Sequence, residues 1–269
     1  MTQLRRRLIV AAWGIPLLFL LIFLGGWLFA AAVAVVAAVS QYEFYRMGKV
    51  SGVSIIIALI AGAALPILFH FRPEMPLALF LIPFMLFILL YLPAQKLEEI
   101  QRRFAVTLTG IIYPPLFLAF LVLIRDGNYS GRYGGALVIL FLFSSIWICD
   151  TLAYFGGKRW GRHKLAPEVS PNKTWEGAVC GLAGVLLWGV VCGLMLPPVL
   201  KIWECLGGAL IAGIIGQIGD LAESSFKRSA GVKDASNLFG PHGGMLDRFD
   251  SIIAAAPAFY LFLKIIGRI

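Results

Sequence analysis

Residues 224–250 lie between two apolar runs, yet they carry Ser224, Lys227, Arg228, Lys233, Asp234, His242, Asp247, Arg248 and Asp250, with Gly243 and Gly244 adjacent. Just upstream, Asp220 closes the preceding apolar run. Asp220 and Asp247 thus fall at two helix ends beside a basic loop. Such a pair suits a hard cation that also holds phosphate oxygens. The competing reading pairs each carboxylate with Arg228 or Arg248. Lys227, Arg228, Lys233 and Arg248 read as phosphate binders, Arg through its planar fork and Lys as a point charge. The plainer alternative is a solvated basic loop. His242 has the chemistry of a phosphate contact or a proton shuttle. The Gly243-Gly244 turn lets backbone N–H groups approach a ligand closely.

A second group opens inside an apolar run, at Asp150. An acid there is costly unless it is paired or binds an ion. The basic stretch Gly156–Lys164 follows, then Ser170-Pro171-Asn172-Lys173-Thr174-Trp175-Glu176-Gly177. Pro171 suits the first position of a helix and Ser170 the cap before it. Lys173 and Thr174 would then sit in the first turn, where a lysine opposes the helix dipole unless an anion is bound nearby.

Other chemistries lack their residues. There is no Gly-x-x-x-x-Gly-Lys-Ser/Thr loop and no Gly-x-Ser-x-Gly elbow. Three histidines, His70, His163 and His242, do not make a multi-histidine metal centre. The cysteines, Cys149, Cys180, Cys192 and Cys205, form no C-x-x-C pair and read as small buried hydrophobes.

The elements that must position these residues are membrane helices. Of 269 residues, 60% are hydrophobic and 14% charged, far too apolar for a soluble domain of this length. Continuous apolar runs without period-2 alternation select helices rather than a barrel. The expected fold is all-α, a polytopic membrane protein of about nine transmembrane helices in a single domain, 1–269. Leu8–Tyr42 is too long for one crossing and divides at Gly25-Gly26. Further spans are expected at Val53–Phe71, Pro76–Leu92, Phe104–Ile124, Gly135–Phe155, Trp175–Leu196, Ile202–Leu221 and Phe249–Ile266. The opening Arg5-Arg6-Arg7 and the apolar run after it mimic a signal peptide, but the run simply continues. With the N-terminus cytoplasmic and the C-terminus outside, most of the 23 Lys and Arg residues face inward. Both polar clusters then lie on the cytoplasmic side. The net charge of +9 is read as topology signal plus anionic lipid and phosphate contacts. No basic, aromatic-rich loop is long enough for nucleic acid.

The run Ser224-x-Phe226-Lys227-Arg228, Lys233-Asp234, His242-Gly243-Gly244-x-x-Asp247-Arg248-x-Asp250 resembles the signature of phosphatidate cytidylyltransferases. Asp150-x-x-Ala153-Tyr154 and Ser170-Pro171-x-Lys173-Thr174-x-Glu176-Gly177 resemble that family too. In it Pro-Gly usually precedes His-Gly-Gly, whereas this chain has Gly240-Pro241. The resemblance implies that CTP and phosphatidic acid give CDP-diacylglycerol and pyrophosphate in phospholipid biosynthesis. It also implies Mg²⁺, alone or with a second cation, and a homodimer in the cell membrane with its active site facing the cytoplasm. Asp220 and Asp247 are implied as metal ligands. Lys227, Arg228 and His242 are implied as phosphate contacts, and with Arg248, read above as a phosphate binder, they are the residues expected to serve the chemical step. Ser170, Lys173, Thr174, Ser224 and Lys233 are implied for binding substrate, and the residues themselves add Gly243, Gly244 and Asp150 to that set. The lipid phosphate is itself the nucleophile, so no activated Ser or Cys is required. Two alternatives stand beside this reading: a CTP-dependent transferase for another membrane lipid, and a transporter, since intramembrane acids also mark ion pathways.

Overall fold

Leu8 to Tyr42 as one helix would run roughly 50 Å at about 1.5 Å per residue. In the computed structural model, which describes residues 3–71, 73, 100–240 and 243–269, this stretch breaks where expected. Gly25 and Gly26 have φ of +64° and +54°, left-handed values that only glycine takes freely. Helix α1 (Gln3–Leu24) ends there and α2 (Gly26–Met47) begins. Arg125 donates from Nε to the Ile22 carbonyl (2.7 Å) and from Nη2 to that of Phe23 (3.2 Å), satisfying carbonyls that the helix end leaves unpaired.

The chain divides into two compact units, Met1–Asp126 with Asp234–Arg248, and Gly127–Lys233 with Phe249–Ile269. The first unit continues with α3 (Val53–Phe71), α4 (Ile100–Ile111), a π turn over Ile112–Leu116 and α5 (Phe117–Arg125). Pro114 and Pro115 fall in that π turn. Proline has no N–H to donate, and the wider turn lets the helix pass them and continue. A buried polar chain crosses this unit. Gln41 Nε2 donates to Tyr45 Oη (3.0 Å) and to the Ala58 carbonyl (3.0 Å), and Tyr45 Oη donates to the Thr107 carbonyl (3.0 Å). It ties α2 to α3 and α4 where there is no water to satisfy polar groups.

The second unit holds α6 (Gly134–Trp160), strands β1 (Lys164–Ala166) and β2 (Ser170–Thr174), α7 (Trp175–Met195), α8 (Ile202–Ser229) and, from Phe249 onward, α9 (Leu246–Ile265). Its helices meet through small residues. A Cβ added at Gly177 would stand 2.7 Å from the Ala153 carbonyl, and one at Gly181 2.7 Å from that of Cys149. The backbones of α6 and α7 therefore touch, as in Gly-x-x-x-Gly pairs of membrane helices. A Cβ at Gly219 would meet Ala254 Cβ at 2.4 Å and the Asp250 carbonyl at 3.0 Å, so α8 and α9 approach equally closely beside Asp220. Cys149, Cys192 and Cys205 are buried and Cys180 is half-buried, all as free thiols.

One expectation is corrected. Ser170 and Pro171 do not start a helix. They belong to β2, which pairs antiparallel with β1, Lys164 opposite Thr174 and Ala166 opposite Ser170. The cap of α7 is Thr174, whose Oγ1 accepts from Gly177 N at 3.2 Å. The ribbon gives the backbone of Ser170–Thr174 cross-strand partners, so the helix starts later than the Ser-Pro pair suggests. Apart from this ribbon the regular structure among the described residues is helical.

Among the described residues five helices are long and apolar enough to cross a membrane: Gly26–Met47, Gln101–Arg125, Gly134–Trp160, Trp175–Met195 and Ile202–Ser229. Ala12–Leu24 and Ile55–Phe71 are shorter apolar helices. The last expected span is helical but is not among the five, and that over Pro76–Leu92 lies outside the described residues.

At the far end of α8, Glu204 is 3% exposed. It accepts from Lys201 N (2.7 Å) and from Arg268 Nε (3.0 Å) and Nη2 (2.7 Å). Removing the guanidinium would leave a buried carboxylate without its cation. Arg268→Ala is expected to cost about 3 kcal/mol, read as a lower midpoint of thermal unfolding in detergent. An unchanged midpoint would mean that the pair contributes nothing to stability.

Candidate functional site

The acids of the second unit converge. Asp220 lies near the C-terminal end of α8, and Lys173 on β2 meets it, Nζ to Oδ2 at 2.7 Å. The anion called for by a lysine near the α7 N-terminus is thus a carboxylate of this chain. Ser224, one turn beyond Asp220, lies with Oγ 3.4 Å from Oδ1. Asp150 of α6 and Asp250 of α9 are both close enough to Asp220 to interact electrostatically with it. Lys173 offsets the charge felt by Asp150, and Lys227 that felt by Asp250. With Glu223 beside Lys227, four carboxyl groups meet two ammonium groups. That arrangement fits a hard divalent cation. Among the described residues no three His, Cys, Asp or Glu side chains form a ready-made metal shell.

The basic residues have structural partners as well. Lys227 Nζ lies 2.5 Å from Oε2 of Glu223, a fully buried acid one turn earlier on α8. Arg228 donates from Nε to the Val169 carbonyl and from Nη1 to that of Val232, both at 3.2 Å, fastening the end of α8 to the β1–β2 turn. Glu176, in the first turn of α7, accepts from Arg162 N (3.0 Å) and His163 N (3.2 Å), and its Oε1 lies 2.6 Å from His163 Nδ1. Lys173 is therefore carried on a ribbon anchored at both ends. Ser170 pairs in that ribbon. Thr174 is buried with its oxygen committed to the cap, and Lys233 is exposed.

In the first unit, Asp247 Oδ2 accepts from Ala235 N (2.9 Å) and Gly244 N (2.6 Å). The second of these bonds folds the Gly243-Gly244 turn back onto the first turn of α9. Gly243 takes φ +77°, as does Gly240 at +58°, so the reversed Gly-Pro order places a glycine where a left-handed turn needs one. Arg248 is exposed. His242 and Pro241 lie outside the described residues.

The sequence reading did not single out Glu43 of α2. Its side chain is buried and accepts from Ser236 Oγ (2.5 Å), Met245 N (3.1 Å) and Leu246 N (2.8 Å). The signal that marked Asp150, an acid inside a membrane-type run, marks Glu43 equally. Asp250, weighed lower than Asp220 and Asp247 from the sequence, is the acid whose backbone α8 touches.

The model of the Cytidylyltransferase family matches residues 5–266. The chain belongs to that family. Over 292 residues it is 34% identical to the phosphatidate cytidylyltransferase of Synechocystis sp., an alignment covering 97% of each protein. Over 135 residues it is 43% identical to the enzyme of that name from Staphylococcus aureus strain COL, covering 50% of this chain and 52% of the other. The Brucella abortus biovar 1 protein of the same name is 47% identical over 129 residues, 48% and 47% of the two chains. This cytidylyltransferase therefore carries its Asp150, Lys173 and Asp220 cluster in a chain matched by the family along nearly its whole length.

Proposed function

We propose that this cytidylyltransferase makes CDP-diacylglycerol and pyrophosphate from CTP and phosphatidic acid at the cytoplasmic face of the cell membrane, as a homodimer with its N-terminus inside and its C-terminus outside. The observation that carries the chemistry is the meeting of Lys173 and Asp220 with Asp150 and Asp250 beside the basic end of α8. A phosphate oxygen of the lipid forms a bond to the α-phosphorus of CTP. The bond from that phosphorus to the β-phosphate oxygen breaks, and pyrophosphate leaves with the electron pair. Two anions must approach each other, so the residues needed are those that offset charge, not those that activate a hydroxyl or thiol.

Asp220 and Asp247 are the carboxylates proposed to hold Mg²⁺. When bound, the ion would supply positive charge that offsets the charge developing on the leaving pyrophosphate. Lys227, Arg228, His242 and Arg248 are proposed to stabilise the pentacoordinate phosphorus. Ser170, Lys173, Thr174, Ser224, Lys233 and the Gly243-Gly244 turn are proposed to hold the polyphosphate and head group, and Asp150 to orient Lys173. Acyl chains stay in the bilayer while the head group reacts at its edge.

Purified protein in detergent micelles with CTP, phosphatidic acid and Mg²⁺ is expected to release pyrophosphate, and ATP, GTP and UTP are expected to support far less. Activity with a different lipid phosphate, and none with phosphatidic acid, would replace the lipid assignment. No pyrophosphate from any lipid phosphate would overturn the reading.

A further inference from the structure

Helix α9 starts without a side-chain cap of its own. Met245, the residue just before the helix, has no side-chain oxygen to accept the N–H groups of the first turn, and a helix start buried without acceptors is destabilised. The acceptor comes from another helix. Glu43 of α2 takes the N–H of Met245 at 3.1 Å on Oε1 and that of Leu246 at 2.8 Å on Oε2. It also accepts the Ser236 hydroxyl at 2.5 Å, and Ser236 Oγ in turn accepts from Leu238 N at 3.1 Å. Glu43 is 3% exposed. The buried carboxyl oxygens are satisfied because three donors converge on them, two of them at the positive end of a helix. The fit leaves no slack: a Cβ at Gly244 would stand 2.5 Å from both Glu43 oxygens.

We infer that Glu43 is a positioning residue for the reaction: it caps α9 from α2, and in doing so fixes the Gly243-Gly244 turn and the orientation of Asp247. The link is direct. Gly244 N donates to Asp247 Oδ2 at 2.6 Å, and the two residues between them, Met245 and Leu246, are those whose amides Glu43 holds. This rests on the proposed role of Asp247 and the glycine turn. Glutamine at position 43 has one acceptor oxygen, and its NH₂ would face an N–H, so it should serve one amide and oppose the other.

The test is hydrogen exchange of the Met245 and Leu246 amides together with steady-state kinetics on detergent-purified Glu43→Gln, Glu43→Ala, Glu43→Asp and Ser236→Ala. Exchange at these two amides is expected to rise in the Gln and Ala variants while amides of α6–α8 keep their protection. The kcat is expected to fall about 10- to 100-fold, the loss of a hydrogen bond to a charged group, with KM for CTP changing less than about 3-fold. Glu43→Asp should recover part of both. Gly244→Ala should impair the wild type and cost little more in the Glu43→Ala background, because the clash partner is gone. Should the Glu43 variants fail to insert, Ser236→Ala decides, with faster exchange at Leu238 and Leu246 and a kcat lowered about 3-fold. The inference is overturned if both amides stay protected, or if protection is lost with kcat unchanged. Full activity of Asp247→Asn would instead remove the proposed role of Asp247, while the exchange data would still report whether Glu43 grips the loop.

Discussion

Asp220→Asn is expected to lower kcat/KM by about a thousandfold or more while the protein still inserts and purifies normally. Asparagine is the same size, so the Gly219 contact with Ala254 and Asp250 is preserved and Ser224 Oγ keeps an acceptor. What goes is the charge that pairs with Lys173 at 2.7 Å and that would share a divalent ion. Several kcal/mol of charge stabilisation at a reacting phosphate corresponds to three or more powers of ten in rate. Lys173 and Asp220 act on one another, so their effects should not add. Lys173→Met should cost much less in the Asp220→Asn background than in the wild type. Near-normal turnover of Asp220→Asn, measured as pyrophosphate release, would remove this cluster from the chemistry.

The second large effect belongs to Asp247, where two roles must be separated. Its Oδ2 accepts two backbone N–H groups, and its charge is proposed to hold magnesium. Asp247→Ala removes both and is expected to be inactive and less stable, by about 1–3 kcal/mol for the two lost backbone hydrogen bonds. Asp247→Asn retains an acceptor oxygen for Ala235 and Gly244. It is therefore expected to unfold at the wild-type temperature yet lose turnover as completely as the alanine variant. If the asparagine variant works normally, Asp247 matters for loop geometry alone.

The helices were legible in the sequence because apolar runs and glycine breaks are local signals. Gly25-Gly26 divides α1 from α2, and Val53–Phe71 is α3 to the residue. The start of α7 was not, because Ser170-Pro171 has the local chemistry of a helix start, and only pairing with residues 164–166 makes it a strand. The meeting of Asp150, Asp220 and Asp250 was not legible either. It depends on α6, α8 and α9 coming together through glycines, and spacing along the chain says nothing about which helices touch. Glu43 is the extreme case. Its partner Ser236 is 193 positions away, so the local signal of an acid in an apolar helix says nothing about what that acid holds. The resemblance to a known signature found the loop that Glu43 holds, but not the residue that holds it.

Helix α8 is 28 residues long without interruption. Asp220 stands 18 residues beyond its first residue, roughly 27 Å along the axis at about 1.5 Å per residue, against a hydrocarbon layer of roughly 30 Å. On the proposed orientation, an Ile202 at the outer boundary puts Asp220 just inside the inner boundary of the hydrocarbon layer, directly beneath the head groups of the cytoplasmic leaflet. The water-soluble nucleotide would then do the travelling, descending to meet a lipid that never leaves its leaflet.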